Sequence, residues 1–142
     1  MRAVDHINVD VDDLESCYAF YRDELGLAVK RPPSDFQGEH AMFEAGETVV
    51  TLAETGRADG WEPNELEHPL DKAHLAFETS RADYDDLVGV LDDQFPNQGP
   101  YDWDEFEGFY FLDPDGNLLE VITYDPPAGE RKRTLLTHDD VE

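Results

Sequence analysis

The sequence predicts an α+β fold built from one unit read twice. Three observations carry this. His6 opens HINVDVDDLESCYAFYRDELGL and His74 opens HLAFETSRADYDDLVGVLDDQF. Each segment begins with the two-residue alternation of a strand and passes into the spacing of an amphipathic helix. Further on, Gly46 precedes ETVVTLAE and Gly116 precedes NLLEVITY, at 40 and 42 residues from the respective histidine. Near-equal spacing of matching elements is the mark of an internal repeat.

In the first half, residues 3–10 alternate, with Ile7 and Val9 on one face and Val4, His6 and Asn8 on the other. Asp12 or Asp13 caps the helix that follows. Leu14, Cys17, Tyr18, Tyr21 and Leu25 form its apolar stripe, and Gly26 stops it. Strands fit 27–31, 39–45 and 47–54, the first ending near Pro32-Pro33. The second half repeats the order. Residues 72–79 alternate, with Leu75 and Phe77 opposite His74, Ala76 and Glu78. Ser80 caps a helix through Tyr84, Leu87, Val88 and Leu91, and strands follow at 98–103, 106–112 and 117–124. Asp113-Pro114-Asp115-Gly116 has the residues of a type I turn and lacks the glycine and glutamate spacing of an EF-hand. The reading divides the chain into modules 1–56 and 72–125, a linker 57–71 and a polar tail 126–142. Arg131-Lys132-Arg133 in the tail reads as a solvated patch or as a clamp for an anionic partner.

Composition narrows the function classes. The chain has 142 residues, 35 acidic and 10 basic, a formal charge of −25. Such a surface repels nucleic-acid phosphates and anionic membranes. No apolar run approaches the roughly 18 residues of a membrane span, and MRAVDHINVDVDD has no secretory signal pattern. A single cysteine, Cys17, fits a reducing cytoplasm. Disorder is excluded by apolar mass: 34 residues are Leu, Ile, Val or Phe, and 16 are aromatic. In molar salt the Debye length falls to about 3 Å, so self-repulsion fades. With only three lysines, the composition points to a salt-rich, halophilic cytoplasm.

The sharpest constellation is His6, His74 and Glu120. By strand alternation each faces away from the residues that pack on the helices. Glu120 lies in an apolar LLEVI run, where an unpaired buried carboxylate costs several kcal/mol. It is the one acidic residue read as internal; the others read as surface, turn or cap. Two imidazoles and a carboxylate are a 2-His-1-carboxylate set, which holds a divalent metal and leaves positions open. His40, His68 and His138 have no such context and read as surface residues.

These segments resemble the vicinal oxygen chelate superfamily, which contains glyoxalase I, extradiol dioxygenases, fosfomycin-resistance thiol transferases and bleomycin-binding proteins. The resemblance covers about residues 3–124 and is strongest in HINVDVDDLESCYAFYRDELGL and GFYFLDPDGNLLEV. It implies two βαβββ modules forming an open, barrel-like cavity around one divalent metal (Fe, Mn, Zn, Ni or Co), with a homodimer in keeping with uncovered sheet edges. His6, His74 and Glu120 match the three ligands, and Glu120 doubles as the catalytic carboxylate.

Departures from the pattern separate the branches. Glyoxalase I carries a fourth ligand, a glutamate, where this chain has Thr51. Glu54 falls on the opposite face. The fosfomycin branch shares FYFLDPDG, including Tyr110, but this chain has acidic GPYDWDEFEG before that strand and Asn8 at the hydroxyl position of the first strand. The bleomycin branch lacks the ligand triad. The expectation is a metalloenzyme acting on a small substrate chelated through vicinal oxygens, by dioxygenase-like or isomerase/lyase-like chemistry. Asn8, Thr51 and Tyr110 are substrate-contact candidates or ordinary cavity lining. A non-catalytic small-molecule binding protein is the alternative, with a thiol transferase behind it.

Overall fold

A computed structural model describes residues 1–67 and 72–127. His68, His138 and the Arg131-Lys132-Arg133 cluster lie outside the described residues, as do the end of the linker and most of the tail. The described residues form two compact units: 1–60 together with 114–116, and 61–67, 72–113 and 117–127.

The first unit holds β1 (His6–Val11), α1 (Leu14–Ala19), β2 (Ala28–Arg31), β3 (His40–Ala45) and β4 (Thr48–Glu54). Its sheet order is β1-β4-β3-β2, with β1 parallel to β4 and the other pairs antiparallel. Ala41, Phe43, Val50 and Leu52 point to the helix side and are buried with Leu14, Cys17, Phe20 and Tyr21. Tyr18 and Tyr21 both pack on the Phe43 ring, at 5.5 and 6.0 Å between centroids.

Two details differ from the helical stripe read in the sequence. After Ala19 the helix widens into a π turn, Phe20–Glu24, where Leu25 N–H donates to Phe20 O five residues back. The widening turns Phe20 inward beside Tyr21, so Phe20 is buried and Tyr18 only half-buried. The helix start is fixed three times over. Asp13 is the cap, accepting from Ser16 N–H at 3.3 Å. Glu54 Oε2 accepts from Leu14 N–H at 2.9 Å. Asp115 Oδ2, from the 114–116 turn, accepts from Asp12 and Asp13 N–H at 2.6 and 3.0 Å and from the Cys17 thiol at 3.2 Å. Carboxylates at a helix N-terminus satisfy free amides and meet the positive end of its dipole.

The second unit holds β5 (Leu75–Glu78), α2 (Arg81–Gln94), β6 (Asn97–Asp102), β7 (Glu107–Leu112) and β8 (Leu118–Thr123), in sheet order β5-β8-β7-β6. Again the first strand is parallel to the last, and the remainder are antiparallel. Both sheets are open. Ser80 caps α2 by accepting from Asp83 N–H, and Asp125 accepts from Arg81 N–H at 3.1 Å, the counterpart of Glu54 and Leu14.

Glu120 is not the only buried acid, which corrects the sequence expectation. Asp102, Glu107 and Asp113 are buried too. Glu107 faces the helix side, where the Arg81 guanidinium donates to it at 3.2 Å. Asp113 accepts from the backbone and side-chain amides of Asn117, and Asp102 accepts from Asp104 N–H. Each accepts from a donor close by in sequence or on the adjoining helix.

Candidate metal centre

Strand register decides which side chains share the face of the second sheet turned away from α2. Glu120 on β8 stands opposite Ala76 on β5 and Tyr110 on β7. His74 directly precedes β5, two residues before Ala76, and so falls on the Glu120 face. His74 Nε2 lies 3.1 Å from Glu120 Oε1, and the two side chains are 22% and 5% exposed. The His74 and Tyr110 rings meet edge to face, with centroids 5.1 Å apart.

The tautomer of His74 follows from its other nitrogen. Nδ1 lies 3.3 Å from the Lys72 carbonyl, which can only accept, so Nδ1 carries a hydrogen. In neutral imidazole the Nε2 lone pair then points at a carboxylate oxygen. A hydrogen on Nε2 makes this contact a hydrogen bond to Glu120, and a metal ion is the other cation that an Nε2 lone pair and a carboxylate oxygen can share. With the proton there, the hydrogen bond to Glu120 raises the His74 pKa above the ordinary imidazole value, burial opposes the rise, and the Lys72 carbonyl adds to it.

The rest of the face is apolar and aromatic. Tyr110, Leu112, Leu118 and Leu66 form a buried cluster, with Trp61, Tyr101 and Trp103 packed against it. The Lys72 ammonium sits over the Trp61 ring at 5.2 Å. Burial, then the Glu120 charge, then a hydrogen bond to Glu120 push the Tyr110 phenol well above its ordinary pKa, so it stays protonated and acts as a donor. Glu120 Oε2 is buried and has no hydrogen-bond partner among the described residues. Gly108 on β7 leaves the space for it: a Cβ at Gly108 would clash with Oε2.

His6, Asn8 and Thr51 belong to the first unit. His6 opens β1 with an exposed side chain, its Nδ1 2.9 Å from Asp5 Oδ2. Asn8 pairs with Thr51 in the parallel β1–β4 ladder, so these two and His6 share one face of the first sheet. Thr51 is buried and Asn8 exposed. His40 opens β3 and is exposed, packed edge to face on Phe36 at 5.8 Å. Among the described residues no group of three or more His, Cys, Asp or Glu side chains is gathered closely enough to hold a metal ion. Sequence reading singled out His74, Glu120 and Tyr110 on the second face. It missed Trp61 and Gly108, and also Tyr101 and Trp103, whose signal was the aromatic density of PYDWDEFEGFYF.

A duplicated βαβββ unit with an acid–imidazole pair on the sheet face of its second copy turned away from the helix defines a class. Residues 3–121 match the sequence profile of the Glyoxalase/Bleomycin resistance protein/Dioxygenase superfamily, and the chain belongs to it. It is similar to the glutathione transferase FosA of Serratia marcescens, at 26% identity over 121 residues, covering 85% of this chain and 80% of that one. It is 33% identical over 123 residues to YraH, an uncharacterized protein of Bacillus subtilis (strain 168), covering 81% of this chain and 93% of that one. Among solved structures, a glyoxalase/dioxygenase from Nostoc punctiforme superposes with a TM-score of 0.69 at 27% identity, covering 89% of this chain and 92% of that one.

Proposed function

We propose that the chain is a divalent-metal-dependent enzyme acting on a small substrate that presents two adjacent oxygens, with His6, His74 and Glu120 as metal ligands. One observation carries the reading: His74 Nε2 and Glu120 Oε1, both able to ligate a metal, lie 3.1 Å apart in a largely apolar setting. That spacing suits neighbouring donors around one divalent ion, which stand about 3 Å apart. A metal there offsets the burial of Glu120 without a cationic side chain. His6 joins the set by its matching place at the head of the first repeat.

The metal, when bound, supplies Lewis-acid polarisation of the chelated oxygens. The chain's own residues do the rest. The Lys72 carbonyl holds His74 Nδ1–H and so aims Nε2. Glu120 contributes the negative charge and is the catalytic carboxylate; beyond the ligands no further base is assigned. Tyr110, kept protonated, holds a hydrogen toward Glu120. Trp61, Leu66, Tyr101 and Trp103 keep water from the sheet face around Tyr110. Asn8, Thr51 and Tyr110 are the proposed substrate contacts. Dioxygenase-like and isomerase/lyase-like chemistry are both open to this set. Thiol transfer is a second reading, favoured by the match to FosA.

Elemental analysis of protein purified without chelator tests the proposal. About one equivalent of Fe, Mn, Zn, Ni or Co per chain is expected. Less than about a tenth, unchanged after each metal is added, favours a non-catalytic small-molecule binder instead. From the charge of −25 we further propose that the protein works in a salt-rich cytoplasm: stability is expected to rise from low to molar KCl, and a flat response overturns it.

A further inference from the structure

Glu120 Oε2 is an acceptor without a donor, and one donor near it is without an acceptor. The Trp103 indole Nε1 is buried and unpartnered among the described residues. Both groups stand over the same glycine: the point where a Cβ would sit on Gly108 lies 3.4 Å from Trp103 Nε1 and clashes with Glu120 Oε2. The indole is held in place from several sides. Trp103 N–H donates to Phe106 O at 2.9 Å. Asp104 takes a left-handed conformation, φ 76°, and its N–H donates to Asp102 at 2.8 Å. The Tyr101 ring packs edge to face on the indole, 6.0 Å between centroids.

We propose that Trp103 is the positioning residue of the Glu120 carboxylate: a small side-chain rotation lets its unpartnered indole N–H donate to Oε2 and leaves Oε1, beside His74 Nε2, as the oxygen offered to the metal. A buried donor and a buried acceptor that both lack partners each bear a desolvation cost, and a bond between them removes both. Donors to the free oxygen of a ligating carboxylate fix its rotamer, and their loss lowers metal affinity 10- to 100-fold in general. Gly108 is the third part of the device, because a Cβ there would clash with Oε2 and crowd the indole nitrogen. The positioning role rests on Glu120 being a metal ligand; the hydrogen bond itself does not.

The chain has two tryptophans, so ¹⁵N-labelled protein gives two indole signals, from Trp61 and Trp103. In metal-free protein the Trp103 indole hydrogen is expected to exchange slowly with solvent and to shift on Glu120→Gln, while the Trp61 signal stays in place. A Trp103 signal that exchanges freely and ignores Glu120→Gln overturns the hydrogen bond. Calorimetric titration with Ni²⁺ then compares wild type with Trp103→Phe, which keeps the ring and removes the N–H. A loss of 10-fold or more supports the positioning role, and a change under twofold overturns it. If Trp103→Phe fails to fold, the exchange rate and the Glu120→Gln shift decide the matter. A wild-type chain that takes up no metal overturns the metal centre and the positioning role with it. An indole that ignores Glu120 in a chain that does take up metal overturns only the part assigned to Trp103.

Discussion

The two units share a sheet order, a helix capped by its own strand-end carboxylate, and a histidine at the head of the first strand, yet only one buries an acid on the face away from its helix. Strand register makes the comparison residue by residue. Thr51 in the first unit stands where Glu120 stands in the second, each opposite the residue two places after the histidine. Met42 stands where Tyr110 stands. Asn8 matches Ala76, and His40 matches Gly108. The backbone is therefore not what makes a site. A threonine hydroxyl is easily accommodated in a sheet; a carboxylate at the same register needs an imidazole, a protonated phenol and a side-chain-free neighbour around it. The second unit supplies all three.

The largest test of this difference is removal of the acid. Glu120→Ala is expected to lower metal affinity by more than about 100-fold, whereas the register-matched Thr51→Ala changes it less than about threefold. Gly108→Ala keeps the acid but displaces it, and falls between them at about tenfold. Calorimetric titration with Ni²⁺ reads all three variants. Equal effects at positions 51 and 120 would erase the distinction between the units.

A smaller effect is expected in the pH dependence of metal-free stability. His74 has a raised pKa in the folded chain, chiefly through its hydrogen bond to Glu120. Its contribution is complete below the unfolded imidazole value of about 6.5 and is lost as pH rises through the higher folded value. Urea unfolding across this window should show a decline on the order of 1 kcal/mol, abolished by His74→Ala. His6→Ala is the matched control in the other unit and should leave the decline in place. On the proposed metal centre the sign reverses, since metal and proton would compete for Nε2, and metal affinity is expected to rise with pH over the same window.

Much of the fold was legible in the sequence because its signals are local. Alternation located β1, β4, β5 and β8 within a few residues, and Asp13 and Ser80 cap the two helices by side-chain hydrogen bonds read from residue type alone. His74, Glu120 and Tyr110 share a face because alternation and hairpin register are sufficient to place them. What was missed depends on contacts remote in sequence or on irregular backbone. The π turn that buries Phe20 has no residue signature. Glu107 looked like one more surface acid until Arg81, 26 residues away, was found beside it. Trp103 lies in an irregular turn between two strands, where periodicity says nothing of direction. The role of Asp115 was hidden in the same way, since the turn motif accounts for Asp113, Pro114 and Gly116 and leaves the second aspartate unexplained.

Asp115 also bears on how the protein is made. The amides of Asp12 and Asp13 find their acceptor about a hundred residues later in the chain. During synthesis the first helix leaves the ribosome without that carboxylate and gains it only when the last hairpin emerges. A chain ended at residue 60 never gains it. The repeat is visible in the sequence, but a turn that lies in the second repeat completes the helix of the first, so the first repeat does not carry the whole of its own cap.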